Sequence, residues 1–121
     1  MRCELQFLSG NGLKQGESVL KIVVVNKLDQ NNSPNFENLI LLLHKSGIKK
    51  FLLDLNELKY IDSSAIGKII NVTKIIRKTG GEISISRVTS DIMNIFNLIK
   101  LGTFIKIFPT NEEAVNYLAL A

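Results

Sequence analysis

From residue 18 onward the sequence alternates short apolar runs rich in Val and Ile with longer runs whose apolar residues recur at three- and four-residue spacing. The first pattern belongs to strands and the second to amphipathic helices. A helix between two strands carries the chain back over the sheet, so successive strands pair in parallel. An α/β fold is therefore expected, with a mostly parallel or mixed sheet of about five strands, about four helices and the order β-β-α-β-α-β-α-β-α.

Arg2–Leu8 and residues 18–25 are expected to form an antiparallel pair, because residues 9–17 between them hold Gly10, Asn11, Gly12 and Gly16, which accept the positive φ angles of hairpin loops. Val19, Leu20, Ile22, Val23, Val24 and Val25 leave little polar surface, which places the second strand inside the sheet with both faces covered. Ser33 reads as the cap of a first helix with Pro34 at its first position, Phe36, Leu39, Ile40 and Leu43 as its apolar stripe and Gly47 as its left-handed exit. Residues 50–55 read as a strand and residues 56–60 as a polar crossing.

A second helix is expected over Ser63–Lys78, with Ile66, Ile69, Ile70, Val72, Thr73 and Ile76 on one side and Lys68, Asn71, Lys74 and Arg77 on the other. Its β-branched content makes it a weak helix alone, so docking on the sheet must stabilise it. Residues 82–87 alternate as a strand, Thr89 caps a third helix carrying Ile92, Ile95, Phe96 and Ile99, and residues 104–108 form a last strand closed by Pro109. Thr110 and Glu113 have capping-box spacing ahead of Ala114, Val115, Leu118 and Ala119, a short terminal helix.

With 121 residues, 45% hydrophobic and 21% charged, the chain is expected to be one domain spanning 1–121 with a packed core. Its apolar runs fall far short of the roughly 20 residues that cross a bilayer, and Met1-Arg2-Cys3-Glu4 does not open a secretory leader, so no membrane association and a cytoplasmic location are expected. Cys3 and His44 are the only residues of their kinds, which argues against a disulfide or a zinc site; no metal and no cofactor are expected. His44 falls near a helix end, where it can satisfy a terminal carbonyl. The net charge of +4 is spread over several elements without interleaved aromatics, so direct nucleic-acid binding is not expected.

The residues that carry chemistry are Ile61-Asp62-Ser63-Ser64-Ala65-Ile66-Gly67, where strand gives way to helix. Asp62 or Ser63 can cap the unpaired N–H groups of the first turn. The same N–H groups and the helix dipole favour negative charge, so a hydroxyl here can also carry a phosphate. Neither a Gly-x-Ser-x-Gly elbow nor a Walker glycine loop is present, and Ser63 has no histidine nearby in sequence, so an enzyme is not expected. Asp29, Asp54 and Asp62 could gather at strand ends as in an aspartyl-phosphate receiver, although the paired serines after Asp62 depart from that pattern.

An apolar strand, an Asn-Glu-Leu linker, Tyr60-Ile61, Asp62-Ser63-Ser64-x-Ile66-Gly67 and the closing Gly80-Gly81-Glu82-Ile83 together resemble the STAS family, found in anti-sigma factor antagonists and in the tails of sulfate transporters. Phe96, Leu101 and Ile105 extend the resemblance, which is strongest over 18–120. In the antagonist branch the serine after the motif's aspartate is phosphorylated by a partner kinase that is also the anti-sigma factor. The resemblance thus implies Ser63 as acceptor, Ser64 as an alternative, and Asp29, Asp62, Ser63, Ser64, Ala65, Gly67 and Lys68 as a partner-binding surface. It implies an ATP-bound serine kinase and a serine phosphatase as partners in bacterial transcription signalling, with a weak homodimer as a further expectation. Asn26-Lys27-Leu28-Asp29 corresponds to the family's Gly-x-Leu-Asp, which puts Asp29 near the serine; an Asx turn is its other reading. Ala65 stands where antagonists usually carry glycine. A STAS scaffold that is never phosphorylated is the alternative function.

Overall fold

A computed structural model describes residues 1–9, 13 and 17–121; most of the expected hairpin loop, at 10–12 and 14–16, lies outside the described residues. The elements are β1 (Arg2–Leu8), β2 (Val19–Leu28), α1 (Ser33–Lys45), β3 (Lys50–Asp54), β4 (Leu58–Ile61), α2 (Ser63–Lys78), β5 (Glu82–Ser86), α3 (Ser90–Leu98), a 3-10 turn (Leu101–Thr103), β6 (Ile107–Phe108) and α4 (Asn111–Leu120). The sheet runs β1-β2-β3-β5-β6, with β4 joined to β2 off that path. Among the described residues only β1 pairs antiparallel, Leu5 facing Ile22; the other pairs are parallel.

The alternation of side chains along the strands divides the apolar residues between two faces. Leu20, Ile22, Val24, Phe51, Leu53, Ile83 and Ile85 share one core with Phe36 and Ile40 of α1, Ile69, Val72 and Ile76 of α2, and Phe96 of α3. Val19 and Leu52 pack on the opposite face with Ala114, Val115 and Leu118 of α4. Each fully buried aliphatic or aromatic side chain stabilises the fold by about 1.5–3 kcal/mol, which offsets the poor intrinsic helicity of α2. Phe96, Leu101 and Ile105 are all buried. Gly81 is forced by close approach, since a Cβ there would lie 2.5 Å from the Lys49 carbonyl and 2.6 Å from Ile76 Cγ2. His44 holds the α1 exit, its Nδ1 2.7 Å from the Ile48 carbonyl and its Nε2 bonded to the Thr79 hydroxyl.

Four details differ from expectation. Leu58–Ile61, read as part of a polar crossing, is a sixth strand, because Leu58 and Ile61 are buried while Asn26, Lys27 and Leu28 of β2 supply its backbone partners. The last strand contracts to Ile107–Phe108: Leu101–Thr103 forms a tight turn and Ile105 drops into the core. β5 stops at Ser86, one residue before the expected end, with Arg87 at φ 56, and its serines are buried together with Ile83 and Ile85 in a strand flanked by β3 and β6. Finally α1 begins one residue early, with Asn32 rather than Ser33 in the cap position and Ser33 already helical and buried.

Candidate functional site

The carboxyl ends of β2 and β4 converge on the start of α2. β2 changes partner along its length: Val19 to Val23 pair with β3, and Asn26 to Leu28 pair with β4, with a register shift between Asn26 and Lys27. Asn26 takes φ 71, a left-handed conformation that asparagine tolerates and that explains how it serves where glycine stands in the family's pattern. Its N–H donates to the Glu57 carbonyl at 2.8 Å, tying β2 to the loop before β4.

Asp29 follows directly. Its Oδ1 accepts the N–H groups of Asn31 and Asn32 at 2.9 and 3.1 Å, and its own N–H donates to Asn32 Oδ1 at 2.8 Å. This is an Asx turn, the second of the two readings open for this residue. The side chain is buried, with Lys27 Nζ 3.9 Å from Oδ2. The same arrangement explains the shift of the α1 cap, because the Asn32 side chain is committed to the turn and makes no cap bond to the helix.

Asp62 joins this turn to α2. Its Oδ1 accepts the Ala65 N–H at 2.9 Å, the usual cap bond, and its Oδ2 accepts the Gln30 N–H at 2.8 Å. Both oxygens are held, so the carboxylate is fixed in place beside the first helical residues. Those residues are Ser63 and Ser64, both exposed, and neither hydroxyl has a hydrogen-bond partner among the described residues. Ala65 is fully buried within the helix, where its methyl group fills core space and no positive φ is required. Gly67 is exposed with open space where a Cβ would stand.

Sequence reasoning missed two participants. Glu37 of α1 accepts from Lys68 Nζ at 3.2 Å through Oε1 and from Asn71 Nδ2 at 2.8 Å through Oε2, fastening α1 to the outer side of α2. The signal was present as Lys68 and Asn71, three apart on one helix face, a pair that one carboxylate can span. Tyr60 of β4, two residues before Asp62, is 56% exposed between buried Leu58 and Ile61; only the identification of β4 shows that it faces solvent and not the core.

Asp54 does not join Asp29 and Asp62. It is 2% exposed and bound by the Asn56 N–H at 3.1 Å, Asn111 Nδ2 at 3.1 Å and Arg87 at 3.5 Å. Among the described residues, no three His, Cys, Asp or Glu side chains are grouped to hold a metal ion.

A family model described as the STAS domain matches residues 13–114. The anti-sigma-B factor antagonist of Bacillus subtilis is 21% identical over 103 residues, covering 85% of this chain and 94% of its own. The crystal structure of TM1081 from Thermotoga maritima superposes with a TM-score of 0.80 at 22% identity, over 94% of this chain and 93% of that one. The Bacillus cell-fate determinant SpoIIAA has the same fold in its unphosphorylated form, with TM-score 0.72 and 14% identity over 98% of both chains. Its phosphorylated form gives 0.66 and 16%, over 94% of this chain and 98% of that one.

Proposed function

The chain belongs to the STAS domain family, and from that premise we propose that it acts as an anti-sigma factor antagonist whose binding to its partner is switched by phosphorylation of Ser63. The observation that carries this reading is an exposed, unbonded serine hydroxyl at the first position of α2, beside a carboxylate that two backbone N–H groups hold in place. The relative named as an anti-sigma-B factor antagonist and the two forms of SpoIIAA support the same direction.

In the unmodified state the surface around Asp62, Ser63, Ser64, Gly67 and Lys68 docks an anti-sigma factor that is also an ATP-dependent serine kinase. Phosphoryl transfer forms the Ser63 Oγ–P bond as the bond to ADP breaks, with the hydroxyl proton passing to a base on the kinase. The product carries about −1.5 to −2 charges at neutral pH. The N–H groups and dipole of the α2 start favour this charge, so the fold tolerates it. An acidic or tightly apposed partner does not. Like charges 4 Å apart at an effective dielectric near 20 repel by about 4 kcal/mol per unit pair, enough to weaken binding roughly a hundredfold even when partly screened. A serine phosphatase restores the docking state. Asp29 acts one step back, shaping the turn whose Gln30 N–H holds Asp62.

The test is incubation with an anti-sigma-type serine kinase from the same genome and magnesium ATP, followed by peptide mass spectrometry and titration of the purified phosphoform against the kinase. One phosphate on Ser63, abolished by Ser63→Ala and kept by Ser64→Ala, is expected together with the affinity loss. Absence of phosphate on Ser63, or a phosphoform that binds as tightly as the parent, favours the constitutive STAS scaffold instead.

A further inference from the structure

The two ends of the sheet are finished differently. β6 is two residues long and offers almost no edge. β1 is seven residues long, lies at the opposite end of the strand order, and pairs along all of its length with β2 and with nothing else among the described residues. Exposed edges are ordinarily guarded by lysine, proline, a bulge or a covering segment. β1 contains neither lysine nor proline, its register with β2 runs unbroken, and its two charges, Arg2 and Glu4, fall on one face and leave the other without any. It also carries apolar side chains in the open: Leu5 is 47% and Phe7 62% exposed, on the face shared with half-buried Cys3.

We propose that this edge is a homodimer interface, in which β1 pairs antiparallel with β1 of a second copy and the two sheets become continuous. Self-complementarity selects the occupant. A two-fold axis perpendicular to the sheet preserves its faces, so each side chain must meet one of its own face across the axis. With the axis at Leu5, Leu5 opposes Leu5 of the second copy and Cys3 opposes Phe7, giving one uninterrupted apolar stripe. On the other face Glu4 opposes Gln6 and Arg2 opposes Leu8, so no like charges meet directly. Placing the axis at Glu4 sets two glutamates against each other, and placing it at Gln6 leaves Arg2 and Cys3 outside the ladder. The Leu5-centred register uses the whole strand and is free of both faults. This interface uses none of the residues proposed for the phosphorylation switch.

Sedimentation equilibrium of the full chain over micromolar to near-millimolar concentrations reads the association directly. A monomer–dimer equilibrium is expected, and Phe7→Lys, at an exposed position that does not threaten folding, is expected to weaken it by roughly tenfold or more. Circular dichroism verifies that the variant remains folded. In a Cys3→Ser background, Leu5→Cys is expected to give a disulfide-linked dimer on mild oxidation, because that position meets itself. A parent that stays monomeric throughout the range overturns the proposal. So does a dimer that survives Phe7→Lys and leaves Leu5→Cys uncrosslinked, since the copies then meet elsewhere; a strand borrowed only from a different protein appears as the first of these outcomes.

Discussion

The starts of α1 and α2 are built from the same local grammar and serve opposite ends. Each has a serine at its first helical position after an Asn or Asp. At α2 the preceding Asp62 caps the helix and leaves Ser63 in the open. At α1 the preceding Asn32 turns away to the Asp29 loop, and Ser33 is buried with its hydroxyl unpartnered among the described residues. A helix-start serine is thus a core residue or a surface hydroxyl according to what packs over it. Of these two serines, only Ser63 is exposed.

The comparison is broken most severely at Asp62. Asp62→Ala removes the acceptor of two backbone N–H groups at once, and urea denaturation should show a loss of about 2 kcal/mol. Asp62→Asn keeps one carbonyl oxygen and should lose about half as much, which separates the cap bond from the tie to Gln30. At α1 the sign reverses: Ser33→Ala deletes a buried hydroxyl that bonds nothing and should raise stability by up to about 1 kcal/mol in the same assay. Ser63→Ala should change stability by less than about 0.5 kcal/mol while abolishing phosphorylation, so that stability and signalling effects divide cleanly between the two serines.

The two starts are also joined, since Glu37 of α1 holds Lys68 and Asn71 of α2. Glu37→Gln should cost about 0.5 kcal/mol, the loss shrinking at high salt as expected of a partly exposed ion pair. The smallest effect lies away from both starts, at Tyr117. Burial raises its pKa above the ordinary 10.0, and the nearby charge of Glu82 and its hydrogen bond raise it further. Because the folded chain keeps this proton longer than the unfolded one, stability is unaffected below about pH 10 and declines above it. Tyr117→Phe should flatten that alkaline limb in thermal melts.

Much of this was legible from residue order alone. Three- and four-residue spacing marked α1, α2, α3 and α4, because helix geometry imposes it wherever one side is buried, while β2, β3 and β5 were marked by short runs rich in apolar residues and β1 by the turn formers that follow it. Asp62 as cap and the serines beside it were legible for the same reason: unpaired N–H groups at a helix start need an acceptor within a few residues. What spacing could not reveal was set by partners distant along the chain. Leu58–Ile61 is too short and mixed to announce a strand, and it is one because β2 extends past β3 and offers it free backbone groups. The last strand shrank because the N–H groups of Phe104 and Ile105 are both committed to the Leu101 carbonyl in the turn before it, which leaves Ile107 and Phe108 to pair with β5. Ser33 and Ser63 look alike in sequence, and burial is a property of what lies across space. Local bonding rules are written in the order of residues; which hydroxyl meets solvent, and which strand edge stays bare, is decided only when the elements pack.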